Sequence, residues 1–103
     1  MSLDIAALRK EFPMLQRQVG GKPIHYLDNA NSSHKPNCVI DTMSQFMREG
    51  YAPIGRSSYT LASEASTTYE AARAKVAHFI NARSAREVVF TKNATESLNL
   101  AAQ

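Results

Sequence analysis

Residues 91–97 read Thr-Lys-Asn-Ala-Thr-Glu-Ser. Asn93 is a good helix N-cap, and Glu96 stands three residues on, where a capping-box carboxylate reaches back. A helix starting near Ala94 turns its first free N–H groups, and the positive end of its dipole, toward this turn. The Thr95 hydroxyl adds a donor. Free amides, a hydroxyl and a helix dipole together make an anion site, and phosphate is the commonest anion held this way. The plainer alternative is that Asn93 and Glu96 only cap the helix, because a cap needs no ligand. No glycine-rich nucleotide loop of the Walker or dinucleotide type accompanies the turn, which favours a small phosphorylated cofactor over a mononucleotide.

Other reactive side chains are sparse. Cys38 is the single cysteine and lies near a predicted helix start, where a dipole favours a thiolate. A lone cysteine in that position is more often structural, and one cysteine excludes an internal disulfide framework. His25, His34 and His78 share no metal-ligand spacing with Cys38 or with a carboxylate pair, so no metal site is expected. Lys92 sits beside the turn and reads as a solvated or phosphate-near charge.

The elements that must position the turn follow from apolar spacing and chain breakers. Ile5, Leu8 and Phe12 predict a short opening helix that Pro13 ends, and Gly20-Gly21 marks a turn. Residues 24–27 form a short strand candidate running into the polar loop Asp28-Asn29-Ala30-Asn31-Ser32-Ser33-His34-Lys35. Pro36 suits a helix's first turn. Val39, Met43, Phe46 and Met47 give that helix its apolar stripe, and Gly50 closes it. A loop with Pro53 and Gly55 leads to a long helix over about 61–81. Tyr69, Ala72, Val76, Phe79 and Ile80 would share its core face, with Arg73, Lys75 and His78 off it. Residues 87–91 read as a buried, β-branched strand, and the last helix begins near Ala94. One convincing sheet strand cannot satisfy its own backbone, so the 103 residues are expected to be a single incomplete domain, a truncated piece of a larger fold.

The totals exclude several classes. Twelve basic against nine acidic residues give +3, and the basic residues are scattered, so no strip of charge tracks a nucleic-acid backbone. No apolar stretch approaches a membrane span, and MSLDIAALRKEFP is too charged for a signal peptide. The glycosylation patterns at Asn31 and Asn93 are therefore read as coincidence, and a reducing, cytoplasmic compartment is expected.

Taken in order, the opening helix with Phe12-Pro13, the strand-loop Tyr26-Leu27-Asp28-Asn29-Ala30, the Lys35-Pro36 helix entry, Arg56 with Thr60-Leu61, Phe79-Ile80-Asn81-Ala82, and Val89-Phe90-Thr91 through Thr95-Glu96 carry a pattern. No single piece is diagnostic, but together they resemble the N-terminal quarter of a class V aminotransferase-fold enzyme. The nearest branch is the group II cysteine desulfurases, which also holds the selenocysteine lyases. The resemblance implies an α/β fold: a mostly helical N-terminal piece of a pyridoxal phosphate (PLP)-dependent transferase of fold type I, with one central-sheet strand. It implies PLP as cofactor, removal of sulfur from cysteine to leave alanine, a homodimer, and a sulfur-acceptor protein as partner.

By position, Lys92 to Ser97 resembles the family's phosphate-cup turn, which makes Ala94 and Thr95 the cofactor-binding residues. Many relatives have a second threonine where Ala94 stands. Asn29 and Ala30 resemble the part lining the substrate entrance, and Arg56 resembles a residue reaching toward the active site across the dimer. The family often shows histidines flanking that arginine, where this chain has Gly55 and Tyr59. The resemblance places the Schiff-base lysine and the nucleophilic cysteine later than the matched region, so none of these 103 residues is expected to be catalytic. Two rival readings remain: a small non-enzymatic helical module that binds a partner protein, and a divergent class V PLP lyase or aminotransferase with another amino-acid substrate.

Overall fold

The computed structural model describes residues 3–103. They fall into two compact units, the first running to Tyr51 and the second from Ala52 to Gln103.

The first unit opens with Asp4, whose carboxylate accepts from Ala7 N–H at 3.0 Å and caps helix α1, Ile5–Lys10. Pro13 follows and starts a 3-10 turn, Pro13–Gln16, where its missing N–H costs no hydrogen bond. Gln16 Nε2 returns to the Arg9 carbonyl at 2.8 Å. Strands β1, Gln18–Val19, and β2, Lys22–Pro23, pair antiparallel, with Gln18 opposite Pro23 and Val19 opposite Lys22. Gly20 (φ +58°) and Gly21 (φ +74°) supply the two left-handed positions that a two-residue hairpin requires. Residues 24–27 were expected as a strand, and this is corrected. Ile24 N–H reaches the Arg17 carbonyl at 3.3 Å, the pairing stops there, and the segment continues unpaired. Helix α2, Asn37–Gln45, begins right after Pro36, and its first N–H donates to the Glu11 carbonyl at 2.8 Å. It ends in a π-helical turn, Phe46–Gly50. Of the predicted stripe, only Phe46 is half-buried, edge-on to Tyr51 at 6.2 Å; Val39, Met43 and Met47 are exposed.

The second unit is built on helix α3, Thr60–Phe79. Its C-terminus closes with Asn81 at φ +57°. Asn81 N–H donates to His78 O and Ala82 N–H to Ala77 O, the paired bonds of a Schellman motif. The buried face matches the one the spacing predicts only at Tyr69. Ala62, Ala65 and Ala77 are buried, with Tyr69 and Arg73 half-buried, whereas Phe79 is 89% exposed and Ile80 57% exposed. Small side chains let a neighbouring segment approach closely. The larger apolar ones have no covering element among the described residues.

A 3-10 turn, Ala85–Glu87, follows, capped by Ser84 Oγ accepting from Arg86 N–H at 3.2 Å. Val88 is extended and buried, but no strand forms over 87–91. The expected central-sheet strand is corrected for the same reason as 24–27: an extended segment becomes a strand only beside another. Helix α4, Ala94–Ala101, completes the chain. The architecture is mostly helical, and the sheet among the described residues is the β1–β2 hairpin. No helix among them is long and apolar enough to cross a membrane, and no three His, Cys, Asp or Glu side chains group as metal ligands.

Candidate functional site

The turn before α4 is held from both sides. Upstream, Val88 is buried, and the Phe90 ring meets Tyr69 of α3 edge-on at 5.4 Å, which fixes the extended segment against the long helix. Downstream, Ser97 N–H donates to the Asn93 carbonyl at 3.1 Å, and the Thr91 and Ser97 hydroxyls bond to each other at 2.5 Å. Both hydroxyl oxygens also lie near the Asn93 carbonyl, at 3.3 and 3.2 Å, and whichever keeps its proton from their mutual bond donates to it. Thr91, Ser97 and Tyr69 therefore brace the turn. Sequence reasoning did not single out their roles, because hydroxyls six positions apart carry no periodic signal.

The cap itself is partial. Asn93 Oδ1 accepts from Glu96 N–H at 2.9 Å. The Glu96 carboxylate reaches back one residue further than a capping box would place it, to Lys92 N–H at 2.5 Å. Its other oxygen lies 3.6 Å from Lys92 Nζ. Lys92 is thus a solvated side chain, 86% exposed, bound to its own turn. Among the described residues, the N–H groups of Ala94 and Thr95 and the Thr95 hydroxyl take part in no hydrogen bond, and both residues are exposed. Two adjacent open amides and a hydroxyl at a helix N-terminus suit the oxygens of a phosphoryl group.

The remaining candidates lie elsewhere. Asn29 and Ala30 occupy a turn in the first unit, where Asn31 N–H and Ser32 N–H both donate to the Asp28 carbonyl, at 3.1 and 3.2 Å. Tyr26 Oη closes this loop by donating to the Ser32 carbonyl at 2.5 Å, with the Asp28 carbonyl 3.2 Å away. Asn29 lines a cleft with Arg9 and His34, and Ala30 does not. Arg56, in the second unit, is exposed and shares no hydrogen bond with the 91–97 turn. It follows Gly55, whose φ of +133° is one that side-chain-bearing residues rarely adopt; Gly55 N–H donates to Ser66 Oγ at 3.2 Å. Cys38 is exposed in the first turn of α2.

The family profile described as Aminotransferase class-V matches residues 25–103. The chain belongs to the class-V aminotransferase family. Among curated relatives it is similar to proteins named "Cysteine desulfurase". The one from Serratia proteamaculans is 51% identical over 102 residues, and those from an Enterobacter species and Salmonella newport are 48% and 47% identical. Each alignment covers 99% of this chain and 25% of the relative, so the chain spans about a quarter of the length of the curated relatives it matches. Membership of the class-V aminotransferase family bears out the resemblance that the ordered residue pattern carried. It favours that reading over a free-standing interaction module.

Proposed function

We propose that these 103 residues are the N-terminal part of one domain of a PLP-dependent cysteine desulfurase, and that the turn before α4 is its phosphate cup. The observation that carries the reading is the open pair of amides at Ala94 and Thr95, in a chain similar along 99% of its length to cysteine desulfurases. When bound, PLP supplies an electron sink for bond breaking at an amino-acid substrate. The chain's own contribution is to hold and orient. Ala94 and Thr95 donate to phosphate oxygens, Asn93 keeps the helix start rigid, and Lys92 holds the Glu96 carboxylate. Asn29 and Ala30 form part of the substrate entrance, and Arg56 reaches toward the site of a dimer partner. The reaction converts L-cysteine to L-alanine and leaves sulfur on the enzyme, for a sulfur-acceptor protein that supplies iron–sulfur clusters or sulfur cofactors in the cytoplasm.

The test is a chimera in which residues 1–103 replace the matching segment of the Serratia relative. The expected result is PLP-dependent conversion of cysteine to alanine, with the enzyme-bound sulfur released as sulfide when a dithiol reductant is added, and with PLP bound less tightly in a Thr95→Val version. A folded chimera that binds PLP equally well with and without that hydroxyl would refute the cup. A chimera that loads PLP but processes no cysteine would refute the substrate assignment.

One observation favours a second substrate reading. Gly55 stands where the resemblance leads one to expect a histidine, and its φ of +133° could not be kept by a histidine without strain. The substrate side of this chain therefore departs from the common pattern, as it would in a lyase or aminotransferase for another amino acid. Offering the chimera a panel of amino acids separates the two: turnover of cysteine alone supports desulfuration, and faster turnover of another amino acid supports the divergent enzyme.

A further inference from the structure

Residues 52–58 carry Arg56 and form no helix or strand. Ala52, at the start of the segment, is buried. Among the described residues, one hydrogen bond joins the segment to the rest of the protein: Gly55 N–H donates to Ser66 Oγ at 3.2 Å. Ser66 is half-buried in the second turn of α3, next to the buried Ala65. Gly55 and Ser57 stand across a shallow groove from Ser63, Ser66 and Thr67, so the segment lies alongside that helix. The Ser66 hydroxyl is used differently from those that follow it. Thr67 and Thr68 donate to the carbonyls four residues back, Ser63 and Glu64, both at 2.9 Å, the local bond open to any hydroxyl inside a helix. Among the described residues Ser66 makes no such bond, and it accepts from an amide eleven positions away.

Gly55 is where such a hold matters. Its φ of +133° lies in a region that glycine enters freely, and nothing stands within 4 Å of where a Cβ would be, so no packed neighbour fixes it there. Arg56 follows directly, and the direction in which its side chain leaves the backbone depends on the Gly55 torsions. We infer that Ser66 positions Arg56: its hydroxyl holds the Gly55 amide and so fixes where the Arg56 side chain starts. Ser66 acts only through Arg56 in this role. The inference rests on the reading that Arg56 reaches toward an active site, and it adds a residue that neither the spacing nor the resemblance singles out.

The test is a double-mutant cycle in the chimera, read as kcat/KM for the amino acid it turns over fastest, together with limited tryptic digestion. The expected result is a loss of about fivefold in Ser66→Ala, one hydrogen bond's worth, with activity restored in Ser66→Thr. In an Arg56→Ala background Ser66→Ala should cost nothing further, because the residue it positions is gone. Tryptic cleavage after Arg56 should rise about fivefold in Ser66→Ala, while cleavage after Arg73 and Lys75 within α3 stays unchanged. Equal losses with and without Arg56, faster cleavage within α3 as well, or a Ser66→Ala chimera that does not fold would each overturn the inference, since Ser66 would then serve the helix. Unchanged cleavage after Arg56 would overturn it and leave the Arg56 reading standing. An Arg56→Ala chimera as active as its parent, or a parent that turns over no amino acid, would overturn both.

Discussion

Asn93 caps the amide of Glu96, and those of Ala94 and Thr95 stay open, as the first amides of a helix do until a ligand or water takes them; the proposed cup rests on this open pair. Three predictions belong at this scale. Ala94→Thr restores a second hydroxyl and should tighten PLP binding in the chimera by one hydrogen bond's worth, about 1 kcal/mol or fivefold. Thr95→Val should weaken binding by a similar factor, and fluorescence titration measures both. Asn93→Ala removes the cap and should cost about 1 kcal/mol, seen as faster amide hydrogen exchange at Glu96 and Ser97 than at residues further along α4. Candidate donors were legible in the sequence because capping chemistry is local: Asn93, Thr95 and Glu96 announce it within four positions. The braces around the turn were not legible: Glu96 reaching to Lys92 N–H and Thr91 meeting Ser97.

The elements show where local rules are sufficient. The Gly20-Gly21 hairpin turn, the stop at Gly50 and the start of α4 fall where the residue types put them, since each depends on neighbours within a few positions. At the end of α3, Asn81 holds a left-handed conformation that a β-branched residue resists. Asn81→Val should lower stability by about 1–2 kcal/mol while Asn81→Gly leaves it nearly unchanged, as read from thermal melts. The buried face of α3 gives another test. Ala65 is 2% exposed, so Ala65→Leu should cost about 1–3 kcal/mol, whereas the exposed Ala74 should accept leucine with little effect. Helical spacing found α3 and put Tyr69 on its packed face, but it also put Phe79 and Ile80 there, which stay exposed, and missed Ala62, Ala65 and Ala77. Hydrophobicity ranks Val76, Phe79 and Ile80 above alanine, yet the fully buried residues of the helix are Ala62, Ala65 and Ala77. Segments 24–27 and 87–91 have strand composition and form no strand, because composition cannot supply the neighbouring backbone.

At the scale of the molecule, the buried apolar residues among those described are Ala52, Ala62, Ala65, Ala77 and Val88, while Leu27, Phe79 and Leu98 are among many large apolar side chains left exposed. So small a core offers little to offset chain entropy. The 103 residues incubated with PLP and cysteine should therefore release no sulfide catalytically, because no lysine here matches a Schiff-base position; steady release over many turnovers would contradict this. The sequence by itself determined the helix starts and stops, the turn chemistry and the family pattern, because capping, glycine conformation and motif order all act over short stretches of chain. Tertiary structure decided which residues of α3 are buried, and that Arg9, Asn29, Ser33 and His34 meet in one cleft. Those outcomes depend on contacts between residues distant in sequence, and local spacing carries no information about such contacts.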